Sequence, residues 1–285
     1  MRKHRSRRQW LIILLCLLLL GAGPLLTGCG ADGGGQVPEK EKEQEALPKQ
    51  EDQEDAEEVE RMPEVELKIT YLGHAAFLLQ AGETRILMDP YAAGTGGYGA
   101  LSQEADVVTV SHEHSDHNYV QAAQGDPQVL RGLTADGWQD MDYSINGVTF
   151  ASVNTFHDNS GGHDRGRNAA FIVKMDGLRL VHLGDLGHPL NAEQINGLSP
   201  VDILLIPTGG HYTIDPVEAD QVIEQLRPRV VIPMHYRTQA IADWPLQDLD
   251  VFLQDKDNIK HSSEKSVTVS KSTLPEVTEI WLLSY

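Results

Sequence analysis

The sequence predicts an α/β domain over residues 67 to 285, and three features of the 285-residue chain point to it. Apolar runs of strand length recur between clusters of Gly, Pro and Asp. One later segment shows helical spacing with recognisable ends. The stretch from Ala31 to about Glu66, by contrast, is Gly-rich and then crowded with Glu, Asp, Lys and Gln, without an aromatic residue, so it cannot build a core.

Strands are expected at Leu67–Tyr71, Ala76–Gln80, Thr84–Met88, Asp106–Val110, Val148–Val153, Ala169–Met175, Arg179–His182, Val201–Ile206 and Val230–Pro233. The helix begins at Asp215, with Pro216 in its first turn, buries Ala219, Val222, Ile223 and Leu226 at helical spacing, and stops before Pro228. No internal repeat with a period of about 20 to 50 residues is visible.

The amino terminus reads differently. Residues 1–28 carry Arg2, Lys3, Arg5, Arg7 and Arg8 ahead of the apolar run Leu11–Leu20 and the small residues Gly21, Ala22 and Gly23, the pattern of a signal peptide. Leu26-Thr27-Gly28-Cys29 resembles a bacterial lipobox, in which Cys29 is lipidated and becomes the mature amino terminus. Residues 29–66 are then a disordered acidic tether, and the protein is expected outside the cytoplasm, lipid-anchored to the bacterial membrane. Ser6-Arg7-Arg8-Gln9-Trp10-Leu11 also resembles a twin-arginine signal, so the export route stays open.

The net charge of −19 becomes −24 once the five basic residues of 1–28 are removed, which makes nucleic acid an unexpected partner. The only cysteines are Cys16 and Cys29. The domain therefore has neither disulfide nor thiolate, and any metal it binds must take nitrogen and oxygen ligands.

Those ligands are concentrated after the strand Val107–Val110, in Ser111-His112-Glu113-His114-Ser115-Asp116-His117. A lone His is usually structural, but three His and an Asp at one strand end can converge on metal ions. Further ligands follow other strands: His157 after Val153, Asp185 after Leu183 and His235 after Pro233. Residues at strand ends are held by a rigid scaffold and still face a cleft. His163 is the rival to His157, and His74 reads as structural, with support of the ligands as the alternative.

His112-x-His114-x-Asp116-His117, followed in order by His157, Asp185 and His235, resembles the metallo-β-lactamase superfamily. Phe156-His157-Asp158, Leu183-Gly184-Asp185, Pro207-x-Gly209-Gly210 and Pro233-Met234-His235-Tyr236 are similar to its branch of ascorbate-6-phosphate lactonases. The resemblance implies an αββα sandwich of two mixed sheets flanked by helices. It also implies two divalent metal ions, Zn²⁺ first and Mn²⁺ as the alternative, with His112, His114 and His157 on one, Asp116, His117 and His235 on the other, and Asp185 between them. A metal-bridging hydroxide would then cleave an ester, lactone, amide or phosphate ester of a small molecule, with Asp116 and Asp185 as the catalytic carboxylates.

The branch also resembles phospholipase-D-like lipid hydrolases, so an extracytoplasmic phosphodiesterase acting on lipid or wall components is the second expectation. A metal-binding surface protein without turnover is the third. Arg165, Asn168 and Tyr212 are the leading candidates for contacting substrate, with Asp158, Arg167 and Arg237 behind them.

Overall fold

A computed structural model describes residues 64–285. The expected signal peptide, the Cys29 lipidation site and the tether up to residue 63 lie outside the described residues. The last residues before the domain are tied to it: Glu64 accepts hydrogen bonds from the Ser270 hydroxyl and the Ser272 backbone, and Val65 N–H donates to Asp176.

The strands of the first half are β1 (Leu67–Gly73), β2 (Ala76–Ala81), β3 (Thr84–Met88), β4 (Gln103–Glu104), β5 (Val107–Val110), β6 (Ala123–Gln124) and β7 (Gln128–Arg131). Those of the second half are β8 (Tyr143–Ile145), β9 (Val148–Phe156), β10 (Arg167–Met175), β11 (Leu178–His182), β12 (Ile203–Pro207) and β13 (Val230–Met234). The short β14 (Ile259–His261), β15 (Ser266–Val269) and β16 (Glu279–Leu282) complete the set. The helices are α1 (Ala192–Leu198), α2 (Pro216–Leu226) and α3 (Leu249–Leu253).

Two mixed sheets result. In the first, ordered β15-β1-β2-β3-β5-β7, an antiparallel meander through β3 passes into the parallel strands β5 and β7. In the second, ordered β14-β16-β13-β12-β11-β10-β9-β8, the antiparallel run β8 to β11 passes into parallel β12, β13, β16 and β14. The small β4–β6 pair stands apart.

Residue pattern explains the layering. Along β1 the alternate positions Leu67, Ile69 and Tyr71 are buried, the period of two of a half-covered strand. The inner faces of the two sheets meet there: Ile69, Phe77, Leu79, Ile86 and Val107 from the first pack with Phe150, Phe171, Leu180, Ile203 and Ile232 from the second. The parallel strands β5, β12 and β13 are buried at every position, as strands covered on both faces must be.

On the outer face of the second sheet, Ile172, Val181, Leu204 and Val231 pack against Leu198 of α1, Ala219 and Val222 of α2 and Phe252 of α3. Helix α2 begins as its sequence predicts: Asp215 accepts from Glu218 N–H, Glu218 reaches back to Asp215 N–H, and Pro216 fills the first turn. Such a cap contributes about 1 kcal/mol.

The two-sheet sandwich with flanking helices is thus as expected, and among the described residues α1, α2 and α3 lie against the second sheet. Among the described residues the outer face of the first sheet, Leu87, Val108 and Val110, is covered by Ala105 and by Ala122 of the 3₁₀ turn Val120–Ala122.

Candidate metal centre

The ligand candidates leave the carboxyl ends of strands from both sheets. His112–His117 follow β5 of the first, and His157, Asp185 and His235 follow β9, β11 and β13 of the second. The backbone turns sharply here, with His74, Asp89, His211 and His235 at φ of 55°, 41°, 58° and 52°. Non-glycine residues seldom adopt this left-handed region, and strain of this kind gathers where a site requires it. Gly184, at φ 54°, is required by close approach as well: a Cβ there would lie 2.4 Å from Asn168 Oδ1.

Four imidazoles converge on one oxygen. Asp185 Oδ2 lies 3.9 Å from His112 Nε2, 3.3 Å from His117 Nε2, 3.2 Å from His157 Nε2 and 3.3 Å from His235 Nε2. All five residues are buried. Separations of this size are those between ligands that share an ion at about 2.0–2.2 Å.

The surrounding hydrogen bonds fix the tautomers that metal binding needs. Asp89, fully buried, accepts from Ser111 N–H (2.8 Å), Ser111 Oγ–H (2.5 Å) and His117 Nδ1–H (3.0 Å). Because Ser111 Oγ donates to Asp89, it accepts from His112 Nδ1–H at 3.0 Å. Protons on both Nδ1 atoms leave the Nε2 lone pairs of His112 and His117 facing inward. Those two Nε2 atoms and Asp185 Oδ1 are buried without hydrogen-bond partners. Buried polar groups rarely stay unpaired, and a cation between them satisfies the whole set.

The candidate ligand atoms form three groups, each within a span of 4.8 Å: His112, His114 and His157; His74, Asp116, His117 and His235; and Asp89, His112 and His117, in the last of which Asp89 is already taken up by Ser111 and His117. Asp185 stands between the first two. The donor set is imidazole and carboxylate only, which suits Zn²⁺.

Electrostatics differ from residue to residue across the cluster. Burial, with His117 next to it, holds His112 neutral well below the usual histidine range, and burial lowers His114 as well. For His117 burial is outweighed by Asp185, Asp116 and Asp89, which raise it. Asp185 is depressed because His117, His235 and His157 overcome its burial. Asp116 is depressed likewise, by His117 and by the hydrogen bond from His74 Nε2 (3.0 Å).

A cavity of about 540 Å³ opens onto this cluster. Its floor is His114, Asp116, His157, Asp185 and His235, and its outer wall is Arg165, Tyr212, Asp243, Trp244 and Pro245. The Asp116 side chain is 23% exposed. The Arg165 guanidinium stacks over the Tyr212 ring at 5.7 Å, and Tyr212 meets Trp244 edge-on at 6.4 Å. Among the described residues no carboxylate pairs with the Arg165 guanidinium, so its donors stay free toward the cavity.

Several expected substrate contacts lie elsewhere. Asn168 is fully buried and structural: Nδ2 donates to Thr155 Oγ1 (2.7 Å) and Leu183 O (2.8 Å), and Oδ1 accepts Asp185 N–H (3.0 Å). It anchors Asp185 rather than a ligand. Asp158 staples the loop that carries Arg165, accepting from the N–H groups of Ser160, Gly162, Asp164 and Arg165 and from the Ser160 hydroxyl. Arg167 stacks on Trp138 at 5.3 Å, and Arg237 forms a forked pair with Asp248. His163, the rival ligand, has a side chain 89% exposed.

Sequence reasoning missed Asp89, although Met88-Asp89-Pro90 stands at a strand end as the ligands do. It also missed Ser111, Asp243, Trp244 and Pro245; the last three reach the cavity only through tertiary folding.

Comparison with known proteins places this geometry. Residues 68–235 match the family described as the β-lactamase superfamily domain. A UPF0173 metal-dependent hydrolase of Thermococcus onnurineus is 32% identical over 205 residues, covering 63% of this chain and 86% of that one. One from Pelotomaculum thermopropionicum is 30% identical over 213 residues, covering 65% and 88%. Among solved structures, a candidate Zn-dependent hydrolase of the metallo-β-lactamase superfamily from Thermotoga maritima superposes with a TM-score of 0.62 at 30% identity, covering 77% of this chain and all of that one.

Proposed function

The chain belongs to the metallo-β-lactamase superfamily, in its UPF0173 family of metal-dependent hydrolases, and from that premise we propose a dinuclear hydrolase acting on small anionic esters, lactones, amides or phosphate esters. The observation that carries the reading is the convergence of four Nε2 atoms on Asp185 Oδ2. His112, His114 and His157 would hold one ion and Asp116, His117 and His235 a second, with Asp185 placed to serve both. Zn²⁺ fits these donors best and Mn²⁺ second.

When bound, such ions lower the pKa of water from 15.7 toward about 7, which supplies a hydroxide nucleophile and offsets the negative charge that develops on the substrate. The chain's own residues do the rest. Asp185, depressed and buried, stays ionised between the two clusters. Asp116 is the one carboxylate of the cluster that reaches the cavity while engaged by His74, so it is placed to hold a proton during turnover. Tyr212, Trp244 and Pro245 pack the apolar body of the substrate and exclude water. Arg165, stacked on Tyr212 with its fork free, takes a carboxylate or phosphate of the substrate.

The amino-terminal reading adds a location. Cleavage before Cys29 and lipidation there would hold the enzyme outside the cytoplasm at the membrane, with small molecules as its substrates and no nucleic-acid partner. Among the described residues no helix is long and apolar enough to cross a membrane. Incorporation of labelled palmitate that is lost in Cys29→Ser supports the anchor, and equal labelling of the variant refutes it.

The full chain is tested for bound metal and for hydrolysis of a simple ester, a lactone, an amide and a phosphodiester, some bearing a carboxylate. Hydrolysis abolished by His112→Ala supports the reading. Bound metal without turnover of any member favours a binding protein, and absence of metal overturns it. Turnover confined to the phosphodiester moves the enzyme toward lipid or wall substrates. Arg165→Ala is expected to raise KM for carboxylate-bearing substrates about tenfold or more, at little cost in kcat; an equal effect on neutral substrates refutes the anion contact.

A further inference from the structure

His74 is built into the centre more tightly than its sequence context suggests. It sits where β1 turns into β2, fully buried, in the left-handed region. Its Nε2 lies 3.0 Å from Asp116 Oδ2. Its ring lies 4.3 Å from that of His235 at 40°, and the edge of Trp244 meets it at 5.5 Å. Its carbonyl accepts the Tyr71 hydroxyl (3.0 Å) and His235 N–H (2.9 Å). One residue of the first sheet thus touches a carboxylate of its own sheet, a histidine of the second, and the cavity wall.

A carboxylate only accepts, so Nε2 carries the proton and Asp116 Oδ2 is engaged. We propose that His74 is a positioning residue: its Nε2–H holds Asp116 Oδ2, the oxygen 3.8 Å from His117 Nε2, and its ring backs His235, so that the Asp116 carboxylate meets the second metal subsite in one orientation. This rests on the metal-centre reading above. Two observations separate it from a further ligand. Asp116, His117, His235 and Asp185 already make four donors, the tetrahedral number for Zn²⁺, and His74 does not line the cavity.

The experiment uses the full chain loaded with Zn²⁺, and compares His74→Asn with His74→Gln. Asparagine is among the side chains that tolerate φ near 55°, and its amide is too short to reach Asp116. Glutamine places an amide nitrogen near the position of Nε2. Stoichiometry and affinity are read by competition with a chromogenic chelator, alongside kcat and KM.

His74→Asn is expected to keep full Zn²⁺ stoichiometry at saturation, with the weaker ion bound about 10- to 100-fold less tightly and kcat reduced on the same scale. KM should stay within about threefold, and His74→Gln should recover most of both losses. Wild-type behaviour in His74→Asn overturns the proposal. So does the loss of one ion at saturation in both variants, which makes His74 a ligand, and so does a glutamine variant no better than asparagine. A wild-type chain that takes up no Zn²⁺ overturns the metal-centre reading itself, and that result needs no variant.

Discussion

Asn168→Ala tests how the centre is supported from beneath. The substitution removes a side chain that donates to Leu183 O and Thr155 Oγ1 and accepts from Asp185 N–H. Thr155 Oγ1 keeps one bond, since its hydroxyl donates to Asn168 O at 3.1 Å. The Asp185 N–H and the Leu183 carbonyl are left buried without partners. At about 1–3 kcal/mol for each, the loss is about 2–6 kcal/mol, a large part of the usual 5–15 kcal/mol of a domain. Urea unfolding of the metal-free protein measures it. Because Asp185 loses its anchor, Zn²⁺ affinity should fall about 10- to 100-fold in the same variant. A change under about 0.5 kcal/mol with unaltered affinity refutes this support role. A shift confined to KM would return Asn168 to the substrate.

Chelating the metal should lower Tm: ligand at 100 times its Kd contributes about 2.7 kcal/mol, or roughly 5–11 °C for a domain of this size. A melting temperature indifferent to chelator excludes a bound ion joining the sheets. Asp158 supplies a pH dependence. Its partial burial is outweighed by the donors around it, Arg165 N–H foremost, so the folded carboxyl titrates below the unfolded value of about 3.9. Its stabilising effect is therefore complete above that value and lost as pH falls below it. Between about pH 4 and pH 2 the wild type should lose stability relative to Asp158→Asn, and parallel losses in the two proteins would show that the loop staple is not Asp158.

The sequence is legible where one physical requirement dominates. Strands β5, β12 and β13 are buried on both faces, so unbroken Val, Ile and Leu runs announce them. Strands such as β7, Gln128–Arg131, and β14, Ile259–His261, are short edge strands with polar residues, and their pairing depends on neighbours distant in the chain. Helix α1 escapes notice because Asn196 and Gly197 sit in it, although its Asn191 and Gln194 form a capping box. The ligands stand out because imidazoles and carboxylates at strand ends face one cleft. Asn168 shows the limit: as a polar residue near the site it suggests substrate, but the direction of a side chain leaving a strand is set by packing. Trp244 lies well over a hundred residues from the His112 motif, and only the docking of the two sheets brings them together.

That docking bears on how the protein acquires its metal. His112, His114, Asp116 and His117 belong to the first sheet, and His157, Asp185 and His235 to the second. Neither half alone holds a complete candidate set, since each of these ligand clusters draws on both. Metal capture at such a cluster thus requires one sheet to have closed upon the other. A chain threaded across a membrane unfolded would arrive empty and draw its ions from the supply outside. A chain carried across already folded would bring with it the ions of the compartment where it was made, so the metal found in the native protein would be a record of the route it took.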